Sequence, residues 1–416
     1  MPGMRALEPT PSSVSEPAAV EPLAPGGAGT PGPGTLGAPV PSRPDHDPSS
    51  AWWAPWRWAL GAALAPWVVA RLVVLGALAV AHEVAERARP LPAVVARVHE
   101  GLLGWDSGWY EAIARHGYGG AGHQALRFFP LVPVLVRGLA VATRLPVGGA
   151  LLLVSNLSAL AATTALVVLA RRESGDDALA RRAAWLVCLA PPAFTAVMGY
   201  AEGTLMALAV GTMLALRARA WWWAALLGLL AGATRPLGVL LAVPALVEVV
   251  RARRPAPAPV AAVAGPVAGM GAFLAYVGWR YGDALAPLRV QQEGTLRGGV
   301  ADPVRTLAHD AVLLVHDRHL GSALHLPWVL LAVALVVVAF RRWPACYGAF
   351  AAAVVAVAVT ASNLDGFERY AWSAFPLVLA GASLTGRAAV QRTVLVLAGA
   401  GLGLYTLLAF TNLYVP

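Results

Sequence analysis

Lysine is missing from this sequence: all 31 basic side chains are arginine. Charge of either sign is scarce, at 13% of 416 residues, while hydrophobic side chains reach 58%. A water-soluble fold of this length needs more polar surface, so a soluble enzyme or binding domain is excluded. Only two cysteines occur, Cys188 and Cys346, both in apolar surroundings. Neither their number nor their spacing builds a disulfide framework or a metal site. His116 and His123 also lack metal-ligand spacing. No D-x-D of the kind that grips a nucleotide sugar through a metal lies between the apolar segments. The expectation is chemistry with no metal and no cofactor.

Apolar runs of membrane-spanning length recur instead. The first covers 56–81, and others follow near 148–170, 183–199, 203–216, 220–233, 237–250, 259–279, 325–340, 345–361, 371–386 and 393–411. The fold class expected is all-α: a polytopic transmembrane helix bundle of about ten spans. The 15 tryptophans often stand near the ends of these runs, where amphipathic rings favour the lipid interface. Arginines cluster at 171–182, Arg217/Arg219, Arg251/Arg253/Arg254, Arg341/Arg342 and Arg387/Arg392. They fall on every second loop, so the positive-inside rule puts them in the cytoplasm and reads them as orientation signals, not as a nucleic-acid surface.

Residues 1–50 are rich in Pro, Gly, Ala and Ser and have no hydrophobic h-region, so they do not read as a signal peptide. The expectation is a disordered cytoplasmic tail followed by one transmembrane domain over 51–416. Its outer loops lie near 83–127 and 280–325. Parity then requires that the short segment 128–143, interrupted by Pro130, Pro133 and Arg137, does not fully cross; such backbone is tolerated when packed in protein.

On this topology the polar residues gather on the outer side. Asp106, His116, His123 and Arg127 lie in the first outer loop, Tyr200 and Glu202 in VMGYAEGTL, Arg235 in ATRPLG, and Asp365, Glu368, Arg369 and Tyr370 in LDGFERY. Charges at membrane depth are costly unless they pair or line a wet site, so the set predicts one outer cavity. The stretch WDSGWYEAIARHGY, 105–118, reads as a short amphipathic helix on the membrane surface. Its Asp106 supports two readings: a helix N-cap, the commoner role on spacing alone, or a general base that takes a proton from a hydroxyl. The neighbouring Trp105, Trp109 and Tyr110 could stack on a sugar face.

WDSGWYEAIARHGY, then RFFPLVPVLVR, PPAFTAVMGYAEGTL, ATRPLG and a late ERYAWSAFPL, in this order, resemble the PIG-V-type mannosyltransferases, multi-span glycosyltransferases of the GT-C class. The resemblance runs from about residue 55 onward and implies mannosyl transfer from a polyprenyl- or dolichyl-phosphate donor on the non-cytoplasmic face. It maps the family's first-loop base onto Asp106. The eukaryotic members extend a GPI anchor; the lysine-free, Ala/Gly/Pro/Arg-rich composition points to a bacterial chain of high GC content and hence to a bacterial acceptor, whether glycolipid, glycan or protein.

The resemblance leads to a mechanism. Asp106 deprotonates the acceptor as it attacks the anomeric carbon, inverting it, by analogy with inverting glycosidases. The departing phosphate needs positive charge, for which arginine's planar donors suit; the candidates are Arg369, Arg235 and Arg127, in that order. Tyr200, Glu202, His116, Asp365 and Tyr370, with Trp105, Trp109 and Tyr110, are candidates to contact substrate. The partners expected are the bilayer, the lipid-linked donor and the acceptor, at the plasma membrane. The alternatives are a lipid flippase or solute transporter, which would hold its polar groups near mid-bilayer and for which no internal repeat is visible, and a structural membrane subunit.

Overall fold

The computed structural model describes residues 54–87, 92–253, 256–293, 298–316 and 325–415. The tail expected over 1–50 lies outside them. The described residues form seventeen α-helices and no sheet, with one isolated bridge between Val300 and Ala361. The helices are α1 Ala54–Arg87, α2 Pro92–Glu100, α3 Asp106–Ala121, α4 Leu131–Thr143, α5 Val147–Ser174, α6 Asp177–Leu189, α7 Glu202–Arg217, α8 Trp221–Gly232 and α9 Ala242–Ala252. There follow α10 Pro257–Tyr281, α11 Ala286–Gln291, α12 Pro303–His316, α13 Leu326–Arg342, α14 Ala345–Val359, α15 Phe367–Ser373, α16 Phe375–Leu384 and α17 Ala388–Phe410.

Four helices, α1, α5, α10 and α17, have both the length and the hydropathy to cross a bilayer unaided. α4, at 13 residues, is about 20 Å long, less than a hydrocarbon core of about 30 Å. Ten crossings would require shorter helices to traverse together with their flanking turns. The chain is a multi-pass membrane protein. Its outward-facing aliphatic side chains, such as Leu72, Leu330 and Val396, are those a lipid environment covers.

Two packing devices position the polar residues. The first is a seam of small residues between α8 and α10. A Cβ on Gly232 would lie 2.1 Å from the Pro266 carbonyl oxygen, and one on Gly269 would lie 1.9 Å from that of Leu229. Only glycine permits this backbone approach, the usual way for helices to associate where lipid is as apolar as leucine. The second is a break in the apolar run 183–199. α6 stops at Leu189, Pro191 and Pro192 open a 3-10 turn over Pro191–Ala196, and α7 starts only at Glu202. The carbonyls exposed by the break are met by side chains: Arg71 of α1 donates to Ala196 O at 3.0 Å, Asn156 of α5 to Val197 O at 2.9 Å and Ser155 to Met198 O at 2.7 Å. Irregular backbone survives at membrane depth when its polar groups are satisfied in this way. The break delivers Tyr200 and Glu202, both fully buried, to the start of α7.

Candidate active site

Asp106 is the first residue of α3. The cap position belongs to Trp105, whose backbone lies at φ 56, and no side chain caps the helix. The N-cap reading of Asp106 is therefore corrected. Its carboxylate leaves the helix end and meets arginines from two distant segments. Arg369 Nη1 of α15 donates to Oδ2 at 2.7 Å, and Arg127 Nη2 lies 3.9 Å from Oδ1. The backbone N–H of Asp106 donates to the Tyr200 hydroxyl oxygen at 3.3 Å.

A second carboxylate stands behind the first. Glu202 pairs with Arg235 and lies 3.3 Å from Arg369 Nε, so Arg369 is shared between Asp106 and Glu202. Arg235 precedes Pro236, which disfavours helical backbone at the residue before it. Arg235 is accordingly extended at φ −160 and ψ 156, ending the α8 segment and turning its side chain to Glu202. Tyr370 is buried beneath both guanidiniums, 5.6 Å from that of Arg235 and 5.5 Å from that of Arg369. Arg369 also stands 5.5 Å from the Tyr200 ring. Arg127 packs on Phe128 at 4.7 Å, with Trp109 at 5.8 Å, and Tyr110 meets Phe128 edge-on at 5.0 Å.

The electrostatics follow from this arrangement. Three guanidiniums face two carboxylates, a surplus of one positive charge among these five groups. The Glu202 side chain is 0% exposed, whereas 24% of the Asp106 side chain is open. Burial opposes ionisation of Asp106. Arg369, Arg127, the Arg369 hydrogen bond and Arg235 outweigh it and hold the carboxyl below its usual range. The positive end of α3 acts in the same direction. Glu202 Oε2 is buried and has no hydrogen-bond partner among the described residues. The cluster can hold an anion beside one ionised, partly open carboxylate.

Three sequence candidates stand elsewhere. Trp105 donates its indole N–H to the Ala409 carbonyl at 3.0 Å, and its ring lies 3.9 Å from the Arg97 guanidinium, so the face read as a sugar platform is already covered. His116 is exposed on α3, about 15 Å along the axis from Asp106. Asp365 faces His325 Nε2 at 3.7 Å and belongs to a separate cluster. In that cluster His325 Nδ1 meets Glu368 Oε1 at 2.6 Å, and the Tyr414 hydroxyl donates to Glu368 Oε2 at 3.2 Å. Sequence reasoning gave His325 no role; a lone histidine at the end of a long polar loop carries no spacing signal. A groove of about 450 Å³ opens beside this cluster, lined by Trp328, Leu331, Leu335, Trp372, Val394 and Glu368 among others.

Three arginines and two carboxylates from distant parts of the helix bundle thus converge where one carboxylate is partly open. Residues 79–250, the segment that carries Asp106, Arg127, Glu202 and Arg235, match the family model described as mannosyltransferase (PIG-V). The resemblance drawn from the motifs is borne out over those residues. No curated protein matches the chain. Among solved structures, the oligosaccharyltransferase of Archaeoglobus fulgidus, crystallised with zinc and sulfate, is similar at 14% identity with a TM-score of 0.38, over 70% of this chain and 44% of that one. This chain thus spans less than half of that protein's length.

Proposed function

We propose that the protein moves mannose from a polyprenyl-phosphate donor to an acceptor hydroxyl on the extracytoplasmic side of the plasma membrane, inverting the anomeric carbon, with Asp106 as general base. The observation that carries this reading is the ion cluster: Asp106, the more open of its two carboxylates, is bonded to Arg369 within a surplus of guanidinium. The acceptor hydroxyl gives its proton to Asp106 while its oxygen bonds the anomeric carbon. The bond from that carbon to the phosphate oxygen breaks, and the phosphate departs with the electron pair. A phosphate monoester leaves without a strong acid but gains a negative charge, which Arg369, Arg235 and Arg127 stabilise. Trp109, Tyr110 and Tyr370 line the same region as apolar walls for the sugar.

The polyprenyl tail fits the apolar groove. Its wall includes Glu368 and Trp372, which flank Arg369 in the sequence of α15, so one short helix contributes to both the groove and the ion cluster. Positive charge supplied by arginine makes a metal unnecessary to this scheme. The face follows from the arginine loops: Arg217, at the opposite end of α7 from Glu202, falls on the cytoplasmic side by the positive-inside rule. A transporter would carry its unpaired polar groups at mid-bilayer. Here Arg71, within α1, is bonded to Asn156, Trp67 O and Ala196 O, a structural role.

The test is transfer of radiolabelled mannose from polyprenyl-phosphate-mannose to endogenous acceptors in membranes, with the wild type and Asp106→Asn compared and with EDTA present or absent. Transfer that Asp106→Asn removes and EDTA leaves intact supports the reading. Undiminished transfer by the variant refutes the base, and loss in EDTA refutes the metal-free scheme.

A further inference from the structure

Arg369 is held at two points of its guanidinium by two carboxylates that differ in setting. Nη1 donates to Asp106 Oδ2 at 2.7 Å, and Nε lies 3.3 Å from Glu202 Oε1 without the alignment of a hydrogen bond. Asp106 is partly open; Glu202 is sealed, and its other oxygen has no partner among the described residues. Resting on the reading above, we propose that Glu202 is a positioning residue, the fixed pivot about which Arg369 passes from Asp106 to the departing phosphate during transfer.

The charges require such an exchange. Three guanidiniums and two carboxylates leave one positive charge, which the single negative charge of a sugar phosphodiester neutralises. As transfer proceeds, Asp106 receives the acceptor proton and becomes neutral while the leaving phosphate becomes a dianion, so the total is unchanged. The bond from Nη1 to Asp106 loses the acceptor's charge at the moment the phosphate gains a charge to offer. Nη1 then has a better acceptor nearby. Glu202, too deeply buried to meet the acceptor, takes no proton from it and retains Nε, so the guanidinium turns and does not drift. Arg235, paired with the same carboxylate, is held beside it. A sugar-contacting role, the expectation from sequence, would instead have Glu202 accept substrate hydroxyls.

The two roles separate in kinetics. Glu202→Gln and Glu202→Asp are assayed in the full chain, in membranes, with radiolabelled polyprenyl-phosphate-mannose, beside the wild type and Asp106→Asn. The pivot predicts that Glu202→Gln lowers the rate at saturating donor roughly 100-fold, since a misplaced charge acts on the chemical step. Donor KM changes by less than about threefold. It also predicts a shift of the acid limb of the pH–rate profile to lower pH. The groups facing Asp106 are Arg369 on α15, Arg127 on the turn before Phe128, Arg235 before Pro236, Glu202 on α7, and the tyrosines 200 and 110. Removing the negative one among them leaves Arg369 wholly to Asp106.

A raised KM with an unchanged saturating rate, or an unmoved acid limb, overturns the pivot alone, provided the wild type transfers mannose and Asp106→Asn does not. If the wild type transfers nothing, the function and the pivot fall together. Should Glu202→Gln fail to accumulate, Glu202→Asp keeps the charge but draws it back by one methylene: the pivot predicts an intermediate rate with the acid limb in place, and a wild-type rate overturns it.

Discussion

One helix, α7, carries an ion cluster at each end, and the two are built to opposite specifications. At its first residue Glu202 is shared by Arg235 and Arg369, while Arg369 also serves Asp106. At its last residue, about 22 Å away along the axis, Arg217 is shared by Glu173 of α5 at 2.7 Å and Glu248 of α9 at 3.3 Å. The cluster at Glu202 has more cations than anions, one orphan oxygen and a partly open carboxylate. In the cluster at Arg217 one cation is saturated by two carboxylates whose side chains are each 11% exposed. The same chemistry thus makes a clamp where charge is closed and a receptive site where it is left one anion short. A guanidinium surrounded by acceptors ties three helices together; guanidiniums that outnumber their carboxylates leave room for a further anion.

The largest effect that tests this contrast is at Asp106. Asp106→Asn keeps shape and removes the proposed base, and transfer should fall by about 10³-fold or more. The wild-type acid limb provides a companion measurement. A carboxylate that must be ionised to accept a proton loses activity as pH falls through its own pKa. The arginines hold Asp106 below the ordinary 3.8, so in donor-saturation curves the acid limb of kcat/KM should be centred below that value. The sign for stability is the same: a depressed carboxyl stabilises the fold above its unfolded value, and that contribution disappears as pH falls through the folded one. An acid limb centred between pH 5 and 6 would show that Asp106 does not feel its arginines.

Arg369→Gln comes next. Removing a charge that stabilises the leaving group should reduce the saturating rate by roughly 10²- to 10³-fold. Arg369→Lys should recover little of it, because a point charge cannot hold two carboxylates and a phosphate with a planar fork. Equal rates for Lys and Arg would remove the geometric part of the contrast. At the Arg217 end the expected loss is of another kind. Arg217→Gln strands Glu173 and Glu248 and should cost about 2–3 kcal/mol of stability, read as a lower unfolding temperature in detergent. Transfer per folded molecule stays unchanged. A catalytic defect without loss of stability would make the two ends alike.

The long apolar runs that became α1, α5, α10 and α17 were legible from hydropathy, and the motif residues Asp106, Arg235 and Arg369 from their order in the chain. The partnerships were not. Asp106 and Arg369 are 263 residues apart, Arg235 and Glu202 33, and nothing local marks either pair. Glu202 looked like a sugar ligand because a turn between apolar runs is normally wet; the break held by Arg71, Ser155 and Asn156 buries it instead. Trp105 looked like a stacking platform because it adjoins the acid. Its indole partner, Ala409, lies 304 residues away, and the left-handed backbone that turns the ring there has no sequence signature in a tryptophan. His325 and Glu368 went unpaired for the same reason: 43 residues and two helices separate them.

The smallest effect is informative for its size. His116 shares α3 with Asp106 and drew notice only through the motif. The two are ten residues apart, nearly three turns, and Gly117, at φ 68, kinks the helix immediately afterwards. Nothing in the cluster reaches that far: Arg127, Arg235 and Arg369 are engaged by Asp106 and Glu202. An exposed histidine at such a remove has no route to the leaving phosphate or to the acceptor proton. His116→Ala should therefore leave kcat/KM within about twofold of wild type. A tenfold loss would mean that the acceptor extends along the surface of α3 past the kink, and that the open side of the Asp106 cluster is a channel lined by α3 and not a single point.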